Sequence, residues 1–291
     1  MAQIAERLPQ NAEGEFFVDS SCIDCDACRQ IAPSVFRELR DQSIVYRQPD
    51  TPDEFQRALM ALVACPTASI GTVSHHNARS AVESFPTPIV DEVYFCGFTS
   101  ESSFGAWSYL IVRPAADGGN VLVDSPRFSL PLVRRIEQMG GVRQFFLSHR
   151  DDIADHARFA EHFHCPRLMH QGDGAVGLGI ECVISGEFPI QLDDDLTLIP
   201  TPGHTRGHQV LLYKNKVLFT GDHLAWSPGR QTLIAHRNYC WDSWSTQTRS
   251  MERLLDYRFE WVLPGHGRIG RGSVEEMHRH LQNCVAWMKT V

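Results

Sequence analysis

The sequence predicts an α/β protein in two parts, a small α+β module followed by a larger domain in which strands and helices alternate. Three observations carry that prediction. Closely spaced cysteines sit near the start, apolar strand-like segments recur after residue 90 with helical spacing between them, and several of those segments end in a histidine or an aspartate.

At 291 residues the chain suits one large domain plus a small one. A hydrophobic content of 43% and a charged content of 21% are those of a soluble globular protein with ample core. No apolar run approaches the ~18 residues of a membrane helix, so no membrane partner is expected. Met1–Arg7 lacks a basic leader followed by an apolar stretch, which makes a cytoplasmic location the expectation. The net charge of −8 argues against a nucleic-acid partner, because neutralising phosphates needs a basic stripe. Residues 1–86 are the more acidic part, with a net charge of −5. In that setting the nine cysteines are not expected to form disulfides.

Cys22, Cys25 and Cys28 form a C-x2-C-x2-C run, and Cys65-Pro66 supplies a distant fourth thiolate. Three thiolates at this pitch wrap one face of a cubane cluster while the fourth reaches it from elsewhere in the fold. Two-cluster bacterial ferredoxins continue the run with a further Cys-Pro; here the pair is Ala32-Pro33, and no second triple run precedes Cys65, so one cluster is expected. The surroundings read as short strands at residues 15–19, 43–46 and 68–71 and a helix at 52–63, with Phe55, Leu59, Leu62 and Val63 on one side. This segment resembles the single-cluster [4Fe-4S] ferredoxins. Cysteine at position 25, where some of those proteins carry aspartate and hold three irons, implies four irons. The alternative is a zinc site on the same cysteines, although structural zinc sites usually pair two C-x2-C knuckles. The module is placed at residues 1–72. Residues 73–89, broken by Pro86 and Pro88, read as a linker, with His75 and His76 as solvated histidines.

Residues 90–291 form the second domain. Strands are expected at 109–112, 121–124, 145–147, 196–200, 217–220 and 261–263, and helices over 132–139 and 157–163. The third of these strands runs into Ser148-His149-Arg150-Asp151-Asp152-Ile153-Ala154-Asp155-His156, the fourth into Thr201-Pro202-Gly203-His204-Thr205-Arg206-Gly207-His208, the fifth into Gly221-Asp222-His223 and the last into Pro264-Gly265-His266-Gly267. Glycine lets the backbone turn sharply at a strand end and lets ligand loops approach one another. A lone His204 would be a hydrogen-bonded loop histidine and a lone Asp222 a cap; four such turns in one chain point to a shared metal site.

These turns resemble the metallo-β-lactamase fold, the αββα sandwich used by glyoxalase II, lactonases, ribonucleases and flavodiiron oxidoreductases, with the Thr201–His208 stretch most similar to glyoxalase II. The resemblance implies that His204 occupies the third metal turn, that Asp222 is the bridging carboxylate and His266 the last histidine, and that Asp124 supports the loops without binding metal. The Ser148–His156 stretch departs from the family's H-x-H-x-D-H, with two residues inserted and the second histidine missing. Matching Asp155-His156 to the final pair and His149 to the first histidine leaves Asp151, which keeps the i, i+2 relation to His149, as the substituted ligand. Asp152 is its rival; its plain structural role would be a helix N-cap, and beside the ions it is the candidate catalytic residue. The expected centre holds His149, Asp151 and His204 on one ion and Asp155, His156 and His266 on the other, with Asp222 bridging. An oxygen ligand in place of imidazole shifts preference from zinc toward iron.

Three functions follow from that pattern. A hydroxide between two metals is a nucleophile at neutral pH, which makes a hydrolase of an ester or thioester the first expectation. The second is a di-iron oxidoreductase fed by the [4Fe-4S] cluster, analogous to flavodiiron proteins, which carry glutamate where this chain lacks histidine. The third is a binding protein with a degenerate site. The expected cofactors are thus one [4Fe-4S] cluster and two metal ions, zinc or iron, and the expected partners a small-molecule substrate and a redox partner protein. Residues 224–249, with Trp226, Trp241, Trp244 and Tyr239, read either as an active-site wall or as packing.

Overall fold

The computed structural model describes residues 2–291. By contacts the chain divides into two units, each made of several segments: Met1–Val112, Ser125–Gly141 and Ala154–Phe159 form the first, and Arg113–Asp124, Val142–Ile153 and Ala160–Val291 the second. The sequence-based division at 72 and 89 follows continuous chain, whereas these units interleave.

In the first unit, strand Phe16–Val18 pairs antiparallel with Ile70–Thr72, and Phe36–Leu39 pairs with Gln42–Val45. A buried asparagine joins them: Asn11 Nδ2 donates to Val18 O at 2.8 Å, and its Oδ1 accepts from Val18 N at 3.1 Å and Val45 N at 2.9 Å. Helix Pro52–Ala64 starts where Thr51 Oγ1 accepts from Glu54 N at 3.2 Å and proline occupies the first turn. It buries Ala58, Leu59, Ala61 and Ala64. The stretch expected to be a linker is ordered: it carries helix Arg79–Glu83 and leads into strand Thr87–Val90. Its anchor is Phe85, 1% exposed, whose ring meets those of Phe95 and Phe98 edge-on with centroids 5.8 Å away. Thr87–Val90, Val93–Phe95 and Tyr109–Ile111 form an antiparallel meander.

In the second unit, strands Val121–Val123, Gln144–Phe146, Arg167–His170 and Cys182–Ile184 are parallel neighbours. A second sheet runs in the order Ile190–Gln191, Leu196–Pro200, Gln209–Tyr213, Val217–Gly221, Trp261–Pro264, Gly270–Arg271. Its register aligns two rows of side chains. Leu212, Leu218 and Val262 face helices Trp244–Arg253 and Val274–Met288 in one core with Met251, Met277, Leu281 and Met288. Leu198, Leu211, Phe219 and Leu263 alternate to the opposite face and are equally buried, so both faces of this sheet are covered. Truncating a central member such as Leu218 to alanine costs roughly 2–5 kcal/mol. Helix Val274–Met288 is begun by a capping box between Ser273 and Glu276.

The register also gathers the turns. Val217–Gly221 and Trp261–Pro264 run parallel, with Gly221 opposite Pro264, so Asp222 and His266 leave the sheet at the same end. Pro200 pairs with Gln209, which closes the Thr201–His208 turn at that end too. Gln209 N donates to Ser148 O at 2.9 Å and its Nε2 to Leu147 O at 2.9 Å, holding the end of the Gln144–Phe146 strand beside them.

Candidate metal centres

Cys22, Cys25, Cys28 and Cys65 line one cavity in the first unit, with Ser43, Thr67, Ser69 and Ile70. Asp24 and Asp26 take left-handed backbone conformations at φ 59° and 68°, which turns the loop between successive cysteines. Both carboxylates are held by Arg29. Two backbone amides aim at sulfur: Ser43 N at Cys22 Sγ, 3.4 Å, and Ser69 N at Cys65 Sγ, 3.3 Å. Burial raises the thiols of Cys22 and Cys25, the latter to about 12, and Cys28 further still, so thiolates here need a cation. Four sulfurs around a single zinc at about 2.3 Å would stand about 3.8 Å apart. Among the described residues, the groups of three or more whose ligand atoms lie within 4.8 Å of one another contain histidine and aspartate, and no cysteine is in them. Four cysteines lining one cavity, three of them at cubane pitch in one loop, fit a cluster.

Those groups lie in the second unit: His149, His204 and Asp222, and Asp152, Asp222 and His266. Asp222 Oδ2 is 3.7 Å from His149 Nε2, 3.8 Å from His204 Nε2 and 3.9 Å from His266 Nε2, while Asp152 Oδ1 is 3.9 Å from His266 Nε2. Ligand atoms about 2.0–2.2 Å from one ion at tetrahedral angles stand about 3.4 Å apart, so small shifts close these sets on cations. The polar atoms need such a partner. His149 Nε2, His204 Nε2, Asp152 Oδ2 and Asp222 Oδ1 are buried without a hydrogen bond among the described residues. Gly265 leaves the room: a Cβ there would stand 2.4 Å from Asp152 Oδ2 and 2.9 Å from Asp222 Oδ1.

Neighbouring groups orient these side chains. Ser148 Oγ pairs with His149 Nδ1 at 2.9 Å, which turns Nε2 to Asp222. Asp124 Oδ1 accepts from Ser148 N at 2.7 Å, matching a supporting role. Asp173, 4% exposed, accepts from Arg150 N at 3.1 Å, Thr205 Oγ1 at 2.6 Å and Gly207 N at 2.7 Å, tying the Ser148–His156 turn to the Thr201–His208 turn. Trp241 N donates to His204 O at 2.8 Å. Burial holds His149 neutral, its pKa pushed down to about 3, and lowers His204 too. Burial, then the charges of Asp222 and Asp124, push the Asp152 carboxyl well up. Burial also raises Asp124, to about 7.

His149, His204, Asp222 and His266 of the expected ligands come together. Asp151 stands at the rim, half exposed, with Oδ2 3.8 Å from both His149 Nε2 and His204 Nε2. Asp152, the expected catalytic residue, lies in the second group as a candidate ligand and does not start a helix; the helix begins at His156. Asp155 and His156 are in neither group. Ala154, at φ 27°, turns the chain, and Asp155 then serves the helix: its carbonyl accepts from Arg158 N at 3.0 Å and Phe159 N at 3.2 Å. Its carboxylate accepts from Phe128 N at 2.7 Å. The carbonyl of Asp155 thus serves the helix start and its carboxylate Phe128 N, and Asp152 is the carboxylate beside His266.

Three contributors escaped the sequence reading. Ser148 was visible only as the residue before a histidine, and Asp173 lies in a turn with no motif. His236, in the tryptophan-rich stretch, is close enough to Asp222 and His266 to feel their charge, with burial lowering its pKa. The tryptophans divide. Trp244 Nε1 donates to Met288 O at 3.0 Å and Trp226 packs on the core, whereas Tyr239 and Trp241 are exposed.

Residues 18–72 match the family model of the 4Fe-4S single cluster domain of Ferredoxin I. A metallo-β-lactamase from Hirschia baltica aligns at 16% identity over 69% of this chain and 95% of that one, with a TM-score of 0.53. The B3 metallo-β-lactamase BLEG-1 aligns at 16% identity over 66% of this chain and 99% of that one, with a TM-score of 0.50. About two thirds of the chain has the metallo-β-lactamase fold. The α/β class, the αββα sandwich and the small ferredoxin-like domain before it are therefore those expected. The histidines and aspartates of the two candidate groups stand in turns at strand ends of this fold. Among the described residues no helix is long and apolar enough to cross a membrane, and none of the nine cysteines is in a disulfide.

Proposed function

We propose that this chain is a metal-dependent hydrolase of a small ester or thioester, with two ions held by His149, His204 and Asp222 and by Asp152, Asp222 and His266. The observation that carries the reading is the sharing of Asp222 by two three-residue groups. Two ions bound there would supply a nucleophile from water at neutral pH and neutralise charge developing on a carbonyl oxygen. The protein's own part is to keep His149 and His204 neutral by burial, so that their nitrogens are free to bind, and to hold His149 in one orientation through Ser148. Asp151, half exposed at the rim, is placed to take a proton from the attacking water and return it to the departing group. Tyr239 and Trp241, exposed with ring centroids 6.1 Å apart, offer an aromatic contact for the acyl portion of a substrate.

A second reading has its own support. The donor set is acid-rich, with Asp152 within one group and Asp151 beside the other, and oxygen donors favour iron. The same chain carries a [4Fe-4S] domain, so a di-iron oxidoreductase acting on a small molecule with a redox partner protein is the runner-up. Metal and sulfide analysis with Mössbauer spectra on anaerobically prepared protein separates the two. About four irons and two zincs per chain, with thioester hydrolysis, supports the hydrolase; about six irons, with no hydrolysis of any ester or thioester tried, overturns it.

A further inference from the structure

The residues that line the cysteine cavity all fall within the ferredoxin match, but one of its cysteines is backed by a segment outside it. Gly105 packs directly on a cluster ligand: a Cβ at that position would stand 2.4 Å from Cys25 Cβ, 2.9 Å from Cys25 Sγ and 3.3 Å from Pro66 Cγ. Its φ of 84° is left-handed, so any other residue there would be strained as well as crowded. Two further contacts fall on the helix end that delivers Cys65. Thr99, fully buried, donates from Oγ1 to Ala64 O at 2.6 Å, and Arg127 donates from Nη2 to Val63 O at 3.2 Å. Both oxygens belong to the last turn of helix Pro52–Ala64, whose carbonyls have no partner within the helix.

The segment that makes these contacts is rigidly specified. Gly97, Phe98, Phe104 and Gly105 all have left-handed backbone, a conformation that phenylalanine holds only when its surroundings impose it. Gly97 lies against the ring of Phe85, Trp107 stacks on Phe95 with centroids 3.7 Å apart, and Gly105 N donates to Ser100 O at 2.8 Å. Arg127 N donates to Phe98 O at 2.8 Å, so the two parts are joined.

We propose that residues 97–107, with Arg127, form a strap that positions Cys25 and Cys65 and shields the [4Fe-4S] cluster on that side. The cluster is thereby held by residues outside its own ferredoxin segment. This rests on the cysteine site and the family match for residues 18–72, and stands whether the histidine–aspartate centre is hydrolytic or redox. A strap of this kind keeps oxidants from the Cys25 side, and the guanidinium of Arg127 at the helix end favours the reduced, more negative cluster.

The test uses the full chain, purified anaerobically, with three variants. Thr99→Val removes the hydroxyl and keeps the shape, Thr99→Ser keeps the hydroxyl, and Arg127→Gln removes the charge. Expected results are full iron and sulfide content under anaerobic conditions for all three, several-fold faster loss of visible cluster absorbance in air for Thr99→Val, and wild-type lifetime for Thr99→Ser. Arg127→Gln should lower the midpoint potential in a spectroscopic redox titration. Gly105→Ala should shorten the cluster's lifetime in air or prevent its assembly, while metal content at the histidine–aspartate centre shows that the protein is folded. Wild-type lifetime and potential in Thr99→Val, Arg127→Gln and Gly105→Ala would overturn the strap. Equal loss in Thr99→Val and Thr99→Ser would do so for the hydroxyl's role.

Discussion

Three of the four cysteines lie within the seven residues from Cys22 to Cys28, whereas the histidine and aspartate groups draw on four strand ends spread from His149 to His266. The first site is built on a local loop that holds three of its ligands close in the chain before it folds. The second exists only once two sheets have brought their edges together. The difference teaches where each site is vulnerable. Thiols raised by burial, as Cys25 is, depend on the cluster to stay ionised, while His149 and His204 are kept neutral by the fold itself.

The strongest way to break this comparison is a crossed pair of substitutions. Asp222→Asn is expected to abolish metal binding at both groups while the visible absorbance of the cluster persists; Cys65→Ser should do the reverse. Metal retained in one group of Asp222→Asn would show that the carboxylate is not shared, and a Cys65→Ser protein that keeps its colour would refute the four-cysteine site. Next in size is Ser148→Ala, which frees His149 to rotate. Metal affinity, measured by competition with a chelator, should fall by about 10–100-fold; an unchanged affinity would mean that packing alone orients the ring.

A smaller effect separates the acids by charge. Asp152 carries its proton below a raised pKa, so an ion must displace it, and affinity should climb as pH rises from the ordinary carboxylate range and level off above that pKa. Calorimetry of metal uptake in buffers of different ionisation enthalpy should find proton release at pH values below that raised pKa, absent in Asp152→Asn. Release that persists in that variant would assign the proton elsewhere. Smallest is Asp155→Ala, expected to leave metal content unchanged and to lower stability by about 0.5–2 kcal/mol through the lost contact with Phe128 N. If it empties the centre instead, Asp155 is a ligand after all.

Much of this architecture can be read from the chain before any coordinates. The cysteine run, the Pro-initiated helix at residue 52, and the strands that lead into the turns of His204, Asp222 and His266 each announce themselves by spacing within about ten residues. The stretch from Ser148 to His156 does not, because it holds three aspartates and two histidines with near-equal claims. Sequence order favoured the Asp155-His156 pair. In the fold the Asp155 carbonyl meets the helix start, and Asp152 stands beside Gly265 and His266.

What the sequence alone determined is the kind of chemistry: thiolates at cluster pitch, and imidazoles and carboxylates at strand ends, each set by residue type and local period. What only the tertiary structure decided is which of several equivalent acids stands among the histidines, and that a segment outside the ferredoxin match packs on Cys25. The physical reason is the same in both cases. A side chain's partner across the fold depends on register and on backbone turns such as Ala154 and Gly105, and those are settled by the packing of residues far away in the chain.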